Sequence, residues 1–187
     1  MANLDYSNIK IIQDTREKPG CHNPIENYCK ENNIPLLRTK LPFGDYTLVN
    51  DMSLTIDFKA NFLELEGNLT KDHVRFRNEI TNANAYGIDV VILIEEDKKY
   101  LNLDEFAMFY KIPRWKSTTD KHKRGQPMAY FNVETIVKAM KTMQEKYRVI
   151  FEFTTKEECP KRIIEILTTQ REEYKNKMKK EEVNNGW

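Results

Sequence analysis

The chain has 187 residues, a net charge of +1, and 40% hydrophobic and 11% aromatic residues. This apolar content can fill a core and excludes a wholly disordered chain, and the longest apolar run, near residues 90–94, is far too short to span a bilayer. Three cysteines argue against a disulfide-rich secreted scaffold, and residues 1–5 lack the pattern of a signal peptide, so we expect a cytoplasmic protein.

The small net charge hides an uneven distribution of charge along the chain. Residues 1–97 carry 10 basic and 16 acidic side chains, a net of −6, whereas residues 98–148 carry 12 basic and 5 acidic side chains, a net of +7. The remaining residues, 149–187, are balanced at 8 and 8. A basic block inside a nearly neutral protein indicates a polyanionic partner such as a nucleic acid.

Apolar periodicity and turn residues predict alternating strands and helices. In chain order we predict a strand at 8–14, a helix at 24–33, a strand at 34–41, and a hairpin of strands at 45–49 and 54–59. We then predict a helix at 62–85 interrupted near Gly67, a strand at 88–94, helices at 103–110 and 133–146, a strand at 148–153 and a charged helix at 160–183.

This order of elements predicts the fold class and the domain organisation. Strands and helices alternate after an early hairpin, which favours an α/β fold with a central mixed β-sheet flanked by helices. We expect a single domain with its core at about residues 8–96 and 130–167. A basic loop is inserted at about residues 98–130, and the charged C-terminal helix follows the core.

The clearest chemical signal is Asp45 followed, after the hairpin turn, by Asp57-Phe58-Lys59. Side chains two apart on a strand share a face, so Asp57 and Lys59 point together while Phe58 points into the core. A carboxylate can hold a divalent cation, preferably Mg²⁺ or Mn²⁺, while a lysine orients and polarises water for phosphodiester hydrolysis. A solvated Asp–Lys pair on an edge strand gives the same pattern.

The register of the hairpin decides whether Asp45 can join this pair. A three-residue loop at residues 50–52 sets Asp45 directly opposite Asp57, whereas a two-residue loop pairs Asp45 with Phe58 on the other face. The catalytic interpretation therefore requires an odd loop, a bulge, or Asp45 in the turn just before its strand. The alternative is that Gly44 and Asp45 serve only as turn residues.

Five ordered segments carry a family resemblance: residues 11–17 (IIQDTRE), 43–46 (FGDY), 56–59 (IDFK), 75–80 (RFRNEI) and 91–95 (VILIE). The chain resembles the XPF-type nuclease domain, a branch of the PD-(D/E)xK superfamily, over roughly residues 9–96 and more loosely to about residue 167. The resemblance is to stand-alone bacterial and phage forms that lack a helix-hairpin-helix module. It implies a restriction-endonuclease-like core and a bacterial or phage-infected cell.

The chain departs from the family's usual strand motif, which is Glu-Arg-Lys followed by Asp four residues after the lysine. Asp57 replaces the glutamate, Phe58 replaces the arginine, and Leu63 occupies the position of the last acid. Aspartate for glutamate keeps a metal ligand. Loss of the arginine removes a partner for a phosphate or a carboxylate.

The resemblance implies a role for each residue that matches a motif. Asp45 and Asp57 are implied metal ligands, and Lys59 is the implied water-activating lysine. Asp14 and Glu17 are implied to flank the catalytic site, either touching a metal ion or organising its surroundings. The alternative for residues 14–17 is an ordinary loop with an internal ion pair.

Two arginines in these motifs are implied DNA contacts. Arg16 would meet a phosphate, which its forked guanidinium can bind through two hydrogen bonds. Arg75 and Glu79 lie four residues apart on one helix face, where they either approach the scissile strand or pair with each other.

A basic segment at residues 111–124 adds a second candidate DNA contact. Phosphates attract its cations and a tryptophan can stack on an exposed base, so we predict DNA-binding residues at Arg114, Trp115, Lys116, Lys121, Lys123 and Arg124. The alternative is a flexible loop whose tryptophan is anchored in the core.

The leading prediction is therefore a Mg²⁺- or Mn²⁺-dependent DNA endonuclease that cleaves duplex or branched DNA in phage or bacterial recombination or repair. One alternative is a catalytically inactive DNA-binding or scaffold module, since the family includes inactive copies. The other is a protein that binds and regulates another nuclease. Family members commonly pair, so a homodimer is also considered, with aromatic residues near 106–110 as its candidate surface. No membrane partner is expected.

Overall fold

The computed structural model describes residues 9–16, 23–110, 133–168 and 170–184, and side chains in its last helix are described to residue 177. The described elements, in chain order, are β1 (Ile11–Gln13), α1 (Asn23–Glu31), β2 (Leu36–Arg38), β3 (Tyr46–Leu48), β4 (Leu54–Lys59), α2 (Phe62–Thr70), α3 (His73–Ala85), β5 (Asp89–Glu95), α4 (Leu103–Phe109), α5 (Val133–Lys146), β6 (Val149–Thr154), α6 (Cys159–Leu167) and α7 (Arg171–Asn184). No helix in these ranges combines the length and apolar character that a membrane span needs.

The strands form one six-stranded mixed sheet in the order β2-β1-β3-β4-β5-β6. The pairs β1–β3 and β3–β4 are antiparallel, whereas β1–β2, β4–β5 and β5–β6 are parallel. The early hairpin therefore supplies the antiparallel part of the sheet, and the alternating strands and helices supply the parallel part. The predicted α/β fold with a central mixed sheet is confirmed.

Helices cover both faces of this sheet. Buried residues of α1, α6 and α7 pack on one face, and buried residues of α2, α3, α4 and α5 pack on the other. Strand β5 shows how the sequence produces this arrangement. Val91 and Leu93 belong to the first core, whereas Val90, Ile92 and Ile94 belong to the second. A nearly continuous apolar run is what a strand covered on both faces requires.

The predicted helix at 62–85 is interrupted, but not at Gly67. The first helix continues through Gly67 to Thr70, and the N–H groups of Lys71 and Asp72 both donate to the carbonyl oxygen of Gly67. Gly67 meets no neighbouring atom within 4 Å of where a Cβ would lie, so it causes no break. The break falls four residues later, where the chain turns into α3.

The predicted single helix at 160–183 is wrong, because the chain forms two helices there. Helix α6 ends at Leu167 and α7 begins at Arg171. Arg171 is buried and donates from Nε to Asp51 Oδ2 at 2.8 Å, in the turn between β3 and β4. The predicted strand at 34–41 is also longer than the observed β2, which pairs only with the three residues of β1.

Candidate functional site

The β3–β4 hairpin brings Asp45 close to the strand that carries Asp57. Tyr46 pairs with Ile56, which is the register that the sequence predicts for a three-residue loop. Asp45 itself lies in the turn just before β3, and its N–H donates to the carbonyl oxygen of Ile56 at 2.7 Å. The odd loop and the position of Asp45 just before its strand are two of the three arrangements that the sequence allowed for bringing Asp45 to Asp57.

Gly44 permits the close approach of this turn to β4. Its φ is +65°, a conformation that residues with a Cβ adopt only with strain. A Cβ at Gly44 would lie 2.3 Å from Thr55 Oγ1 and 2.8 Å from the carbonyl oxygen of Ile56. Gly44 and Asp45 are thus turn residues, and the same turn holds Asp45 against the strand that carries Asp57.

Asp57 and Lys59 share a face of β4, as the strand period predicted. Lys59 Nζ donates to Asp57 Oδ1 at 2.9 Å, while Phe58 packs against the core on the other face. The N–H of Phe58 donates to Asp45 Oδ2 at 2.7 Å. The backbone between Asp57 and Lys59 therefore holds the carboxylate of Asp45 in place.

Lys59 is a buried cation among carboxylates. Burial lowers the pKa of Lys59, but the charge of Asp57, its hydrogen bond, and the charges of Asp45 and Glu64 outweigh burial and raise that pKa above the usual lysine value. Lys59 is therefore an ammonium at neutral pH. In this state it can donate hydrogen bonds to water or phosphate, but it cannot accept a proton.

Asp14 supports the wall of the site from the end of β1. Its side chain is 1% exposed and accepts hydrogen bonds from the N–H of Arg16, the N–H of Leu41 and the Arg16 guanidinium. Arg16 also donates to the carbonyl oxygen of Leu41 at 3.0 Å. These contacts tie the strand end to the segment that leads into Gly44. Asp14 is thus occupied within the protein, whereas the Arg16 side chain is 54% exposed.

These residues line one cleft of about 260 Å³ together with α2 and α3. Its wall contains more acids than bases. The acids are Asp14, Asp45, Asp57, Glu64 and Glu79, and the bases are Arg16, Lys59 and Arg75. The excess of carboxylates favours a cation in the cleft.

Arg75 and Glu79 form an ion pair on the wall of the cleft. Arg75 Nη1 lies 3.2 Å from Glu79 Oε1, and both side chains are more than half exposed. The sequence left open whether Arg75 and Glu79 approach the scissile strand or pair with each other, and the structure shows them paired. An exposed pair of this kind contributes little to stability, so Arg75 can exchange Glu79 for a phosphate at small cost.

The sequence prediction missed Glu64, the first-turn acid of α2. Glu64 Oε1 lies 4.0 Å from Lys59 Nζ, and Glu64 Oε2 accepts from the N–H of Ala60. The side chain of Asn61 caps the same helix by accepting from the N–H of Glu64. The sequence feature that could have identified Glu64 is an acidic residue five positions after Lys59, one position beyond Leu63. Glu64 thus supplies a carboxylate near the lysine despite the loss of the family's last acid.

Several predicted site residues lie outside the part of the chain that the structure describes. These are Glu17, Arg114, Trp115, Lys116, Lys121, Lys123 and Arg124. The candidate homodimer surface near residues 106–110 is only partly exposed. Phe106 is fully buried against Phe62 and Phe153, whereas Phe109 and Met108 are exposed. Phe106 therefore cannot belong to the candidate homodimer surface, whereas Phe109 can.

Two carboxylates fit a divalent cation at this site, although they do not enclose one. Among the described residues, no group of three or more histidine, cysteine, aspartate or glutamate side chains is placed to hold a metal ion. Mg²⁺, however, commonly binds through one or two carboxylates and keeps several water ligands or takes substrate phosphates. Asp45 and Asp57 line one cleft with an excess of acids, so they are the residues that could hold a metal ion in that mode.

The fold is similar to that of a known DNA-associated protein. No protein-family model matches the sequence, and no curated protein sequence matches it. XPF from Aeropyrum pernix is 14% identical with a TM-score of 0.59, over 89% of this chain and 67% of the archaeal one. The same protein in complex with DNA is also 14% identical with a TM-score of 0.57, over 88% of this chain and 66% of the other. The chain thus has an XPF-like fold and spans about two thirds of the archaeal chain.

Proposed function

We propose that this chain is a DNA endonuclease that requires a divalent metal ion, Mg²⁺ or Mn²⁺, and that the cleft at the end of β4 is its active site. The observation that carries the proposal is that Asp45, Asp57 and Lys59 line one cleft, with Lys59 Nζ donating to Asp57. The XPF-like fold supports it, as does the DNA bound to one structure with that fold. Carboxylates with an adjacent cation suit phosphodiester hydrolysis.

The proposed metal ligands are Asp45 and Asp57. A bound divalent cation would neutralise charge on the scissile phosphate and make water more acidic. Asp57 would then exchange part of its contact with Lys59, which is the competing cation in the present structure. Asp45 keeps its hydrogen bond from the N–H of Phe58, which holds its carboxylate at the cleft beside Asp57.

Lys59 and Arg16 are the proposed cationic partners of the reacting phosphate. Lys59 is an ammonium, so it orients the attacking water by donating a hydrogen bond and stabilises negative charge as it develops. Arg16 is held in place by Asp14 and exposes its guanidinium to the cleft. The oxygen of water forms a bond to phosphorus and gives up a proton to the solvent as the bond to the 3′ oxygen breaks. The products are a 5′-phosphate and, once the departing oxygen takes up a proton, a 3′-hydroxyl.

A catalytically inactive DNA-binding module is the second candidate. The carboxylates of Asp45 and Asp57 each have a partner within the protein, Phe58 N–H and Lys59 respectively. A degenerate site would stay in this arrangement and would not exchange Lys59 for a metal ion. A protein that regulates another nuclease is a third interpretation and also predicts no cleavage.

The test is cleavage of labelled duplex, single-stranded, flap and four-way-junction DNA in Mg²⁺, in Mn²⁺ and in EDTA. We expect cleavage that requires the metal ion and is lost in Asp57→Asn and in Lys59→Met. Methionine keeps most of the buried volume of Lys59 while removing its charge. The matched control is the exposed pair of Lys141 and Asp104, which lies outside the cleft.

The control variants Lys141→Met and Asp104→Asn should cleave like the wild type. DNA binding without cleavage, unchanged in Asp57→Asn, would support the inactive module instead. A role in phage or bacterial recombination or repair, and pairing of two chains, stay predictions. The ranking of DNA substrates and the mass of the protein in solution test them.

A further inference from the structure

An apolar groove continues from the candidate active site. It is lined by Pro42, Phe43, Met52, Ser53, Tyr86, Gly87 and Ile88. Pro42 and Phe43 also line the active-site cleft, so the two depressions share a wall directly before Gly44 and Asp45. A ligand that enters the cleft is therefore adjacent to this groove.

Among the residues that the structure describes, Tyr86 is the most exposed of the large aromatic residues on the surface, followed by Phe109. The side chain of Tyr86 is 78% exposed, yet its ring lies 5.8 Å from that of Phe43, at an angle of 42°. It follows α3, which ends in a tight turn. Gly87 has a φ of +73°, and the N–H of Ile88 donates to the carbonyl oxygen of Ala83. The turn fixes the backbone of Tyr86, and the contact with Phe43 places its ring at the groove.

The groove ends at Ser53, whose hydroxyl already has partners within the protein. It donates to Asp51 Oδ1 at 2.6 Å and accepts from Lys175 Nζ at 3.0 Å and from Arg171 Nη2 at 3.3 Å. The aromatic wall of Tyr86 and Phe43 is therefore the part of the groove that can meet a nucleobase, on the apolar face of the base. Aromatic side chains bind unpaired bases by stacking on that face.

We propose that this groove is a base-binding subsite, in which an unpaired base next to the scissile phosphate stacks on Tyr86 beside Phe43. The subsite rests on the proposed nuclease function, because the cleft that it adjoins is the proposed place of the phosphate. A base within a duplex keeps its own stacking partners and cannot use the subsite. The subsite therefore favours DNA with an unpaired nucleotide at this position.

The test is DNA binding in EDTA, which separates binding from cleavage. The probes are a fluorescently labelled single strand and a blunt duplex of the same sequence. Stacking on one aromatic side chain contributes about 1–3 kcal/mol, so Tyr86→Ala should weaken single-strand binding by roughly 5- to 140-fold. Binding of the duplex should change by less than about twofold. Tyr86→Phe keeps the ring and should retain wild-type affinity.

The matched control is Leu101→Ala, since Leu101 is 82% exposed and lies outside the groove. A 2-aminopurine base in the single strand reports stacking directly, and its fluorescence should be quenched by the wild type and by Tyr86→Phe only. If Tyr86→Ala loses affinity equally for single-stranded and duplex DNA, or loses none, the proposed base-binding subsite is wrong. A change in oligomeric state instead of DNA affinity identifies an interface between copies and also overturns it.

Cleavage in Mg²⁺ distinguishes failure of the subsite from failure of the proposed function. If the wild type cleaves and Lys59→Met does not, but Tyr86→Ala binds both DNA forms normally, only the subsite is wrong. If the wild type neither binds nor cleaves any DNA, the nuclease function and the subsite are both wrong.

Discussion

Replacing Gly44 with alanine should destabilise the protein and impair its candidate active site. Two effects act together at this position: a positive φ and a collision with β4. The positive φ costs an L-residue about 1–2 kcal/mol. Forcing an extra carbon into a packed site costs typically about 1–3 kcal/mol. We therefore expect the free energy of unfolding to fall by roughly 2–5 kcal/mol in Gly44→Ala.

The collision cannot be relieved by a simple side-chain movement. Thr55 Oγ1 lies 3.1 Å from the carbonyl oxygens of both Phe43 and Tyr46, which hold it in place. The carbonyl oxygen of Ile56 belongs to the strand and accepts the N–H of Asp45. The turn must therefore move away from β4, and Asp45 moves with it. Cleavage should fall together with stability.

The other two described glycines separate the contributions. Gly87→Ala introduces strain at a φ of +73° but meets no atom within 4 Å, so a loss of about 1–2 kcal/mol is expected. Gly67→Ala lies inside a helix with open space around it and should stabilise the protein by about 0.5–1 kcal/mol. The difference between Gly44→Ala and Gly87→Ala measures the collision alone.

Urea denaturation of the three variants and the wild type gives these free energies, with the slope checked for each variant. Cleavage of DNA is then measured below the unfolding transition. If Gly44→Ala is no less stable than Gly87→Ala, the turn does not press against β4 as the structure has it. A destabilised Gly44→Ala that cleaves normally would show that Asp45 does not depend on this turn.

Three further changes test other parts of the structure. Glu64→Gln keeps an acceptor for the N–H of Ala60 but removes a negative charge beside Lys59. The free energy of unfolding should change by less than about 0.5 kcal/mol, while the Mg²⁺ concentration needed for half-maximal cleavage should rise severalfold. An unchanged Mg²⁺ dependence would show that Glu64 does not act in the site. A hydrogen bond from Arg171 holds the pKa of Asp51 far below its usual range, so the stability it contributes is present above about pH 4 and lost as pH falls further. In urea melts at several pH values, Asp51→Asn should be less stable than the wild type near pH 6 and lose less stability in acid, and parallel pH profiles would contradict this. Replacing four basic residues with alanine should weaken DNA binding by a similar factor for all DNA sequences and make the affinity less dependent on salt. These residues are Arg114, Lys121, Lys123 and Arg124. An unchanged salt dependence would exclude them from the DNA interface.

The predictions that held depend on patterns within a few residues. The period of a strand places Asp57 and Lys59 on one face wherever β4 lies in the sheet. A nearly continuous apolar run makes β5 a strand buried on both faces. The length of the hairpin loop allows only a few registers, and the observed one pairs Tyr46 with Ile56 and brings Asp45 to the strand that carries Asp57. Such patterns gave the α/β class, the mixed sheet and the central acid–lysine pair.

The features that local patterns missed depend on residues far apart in the chain. Asp14 accepts from the N–H of Leu41, 27 residues away, a partner that the sequence pattern around Asp14 does not indicate. Arg171 reaches Asp51, 120 residues away, where α7 begins as a separate helix after α6. Glu64 approaches Lys59 because the cap at Asn61 sets where α2 begins. Periodicity fixes which face a side chain occupies, but the partner across a cleft depends on how the whole chain packs, which no short segment encodes.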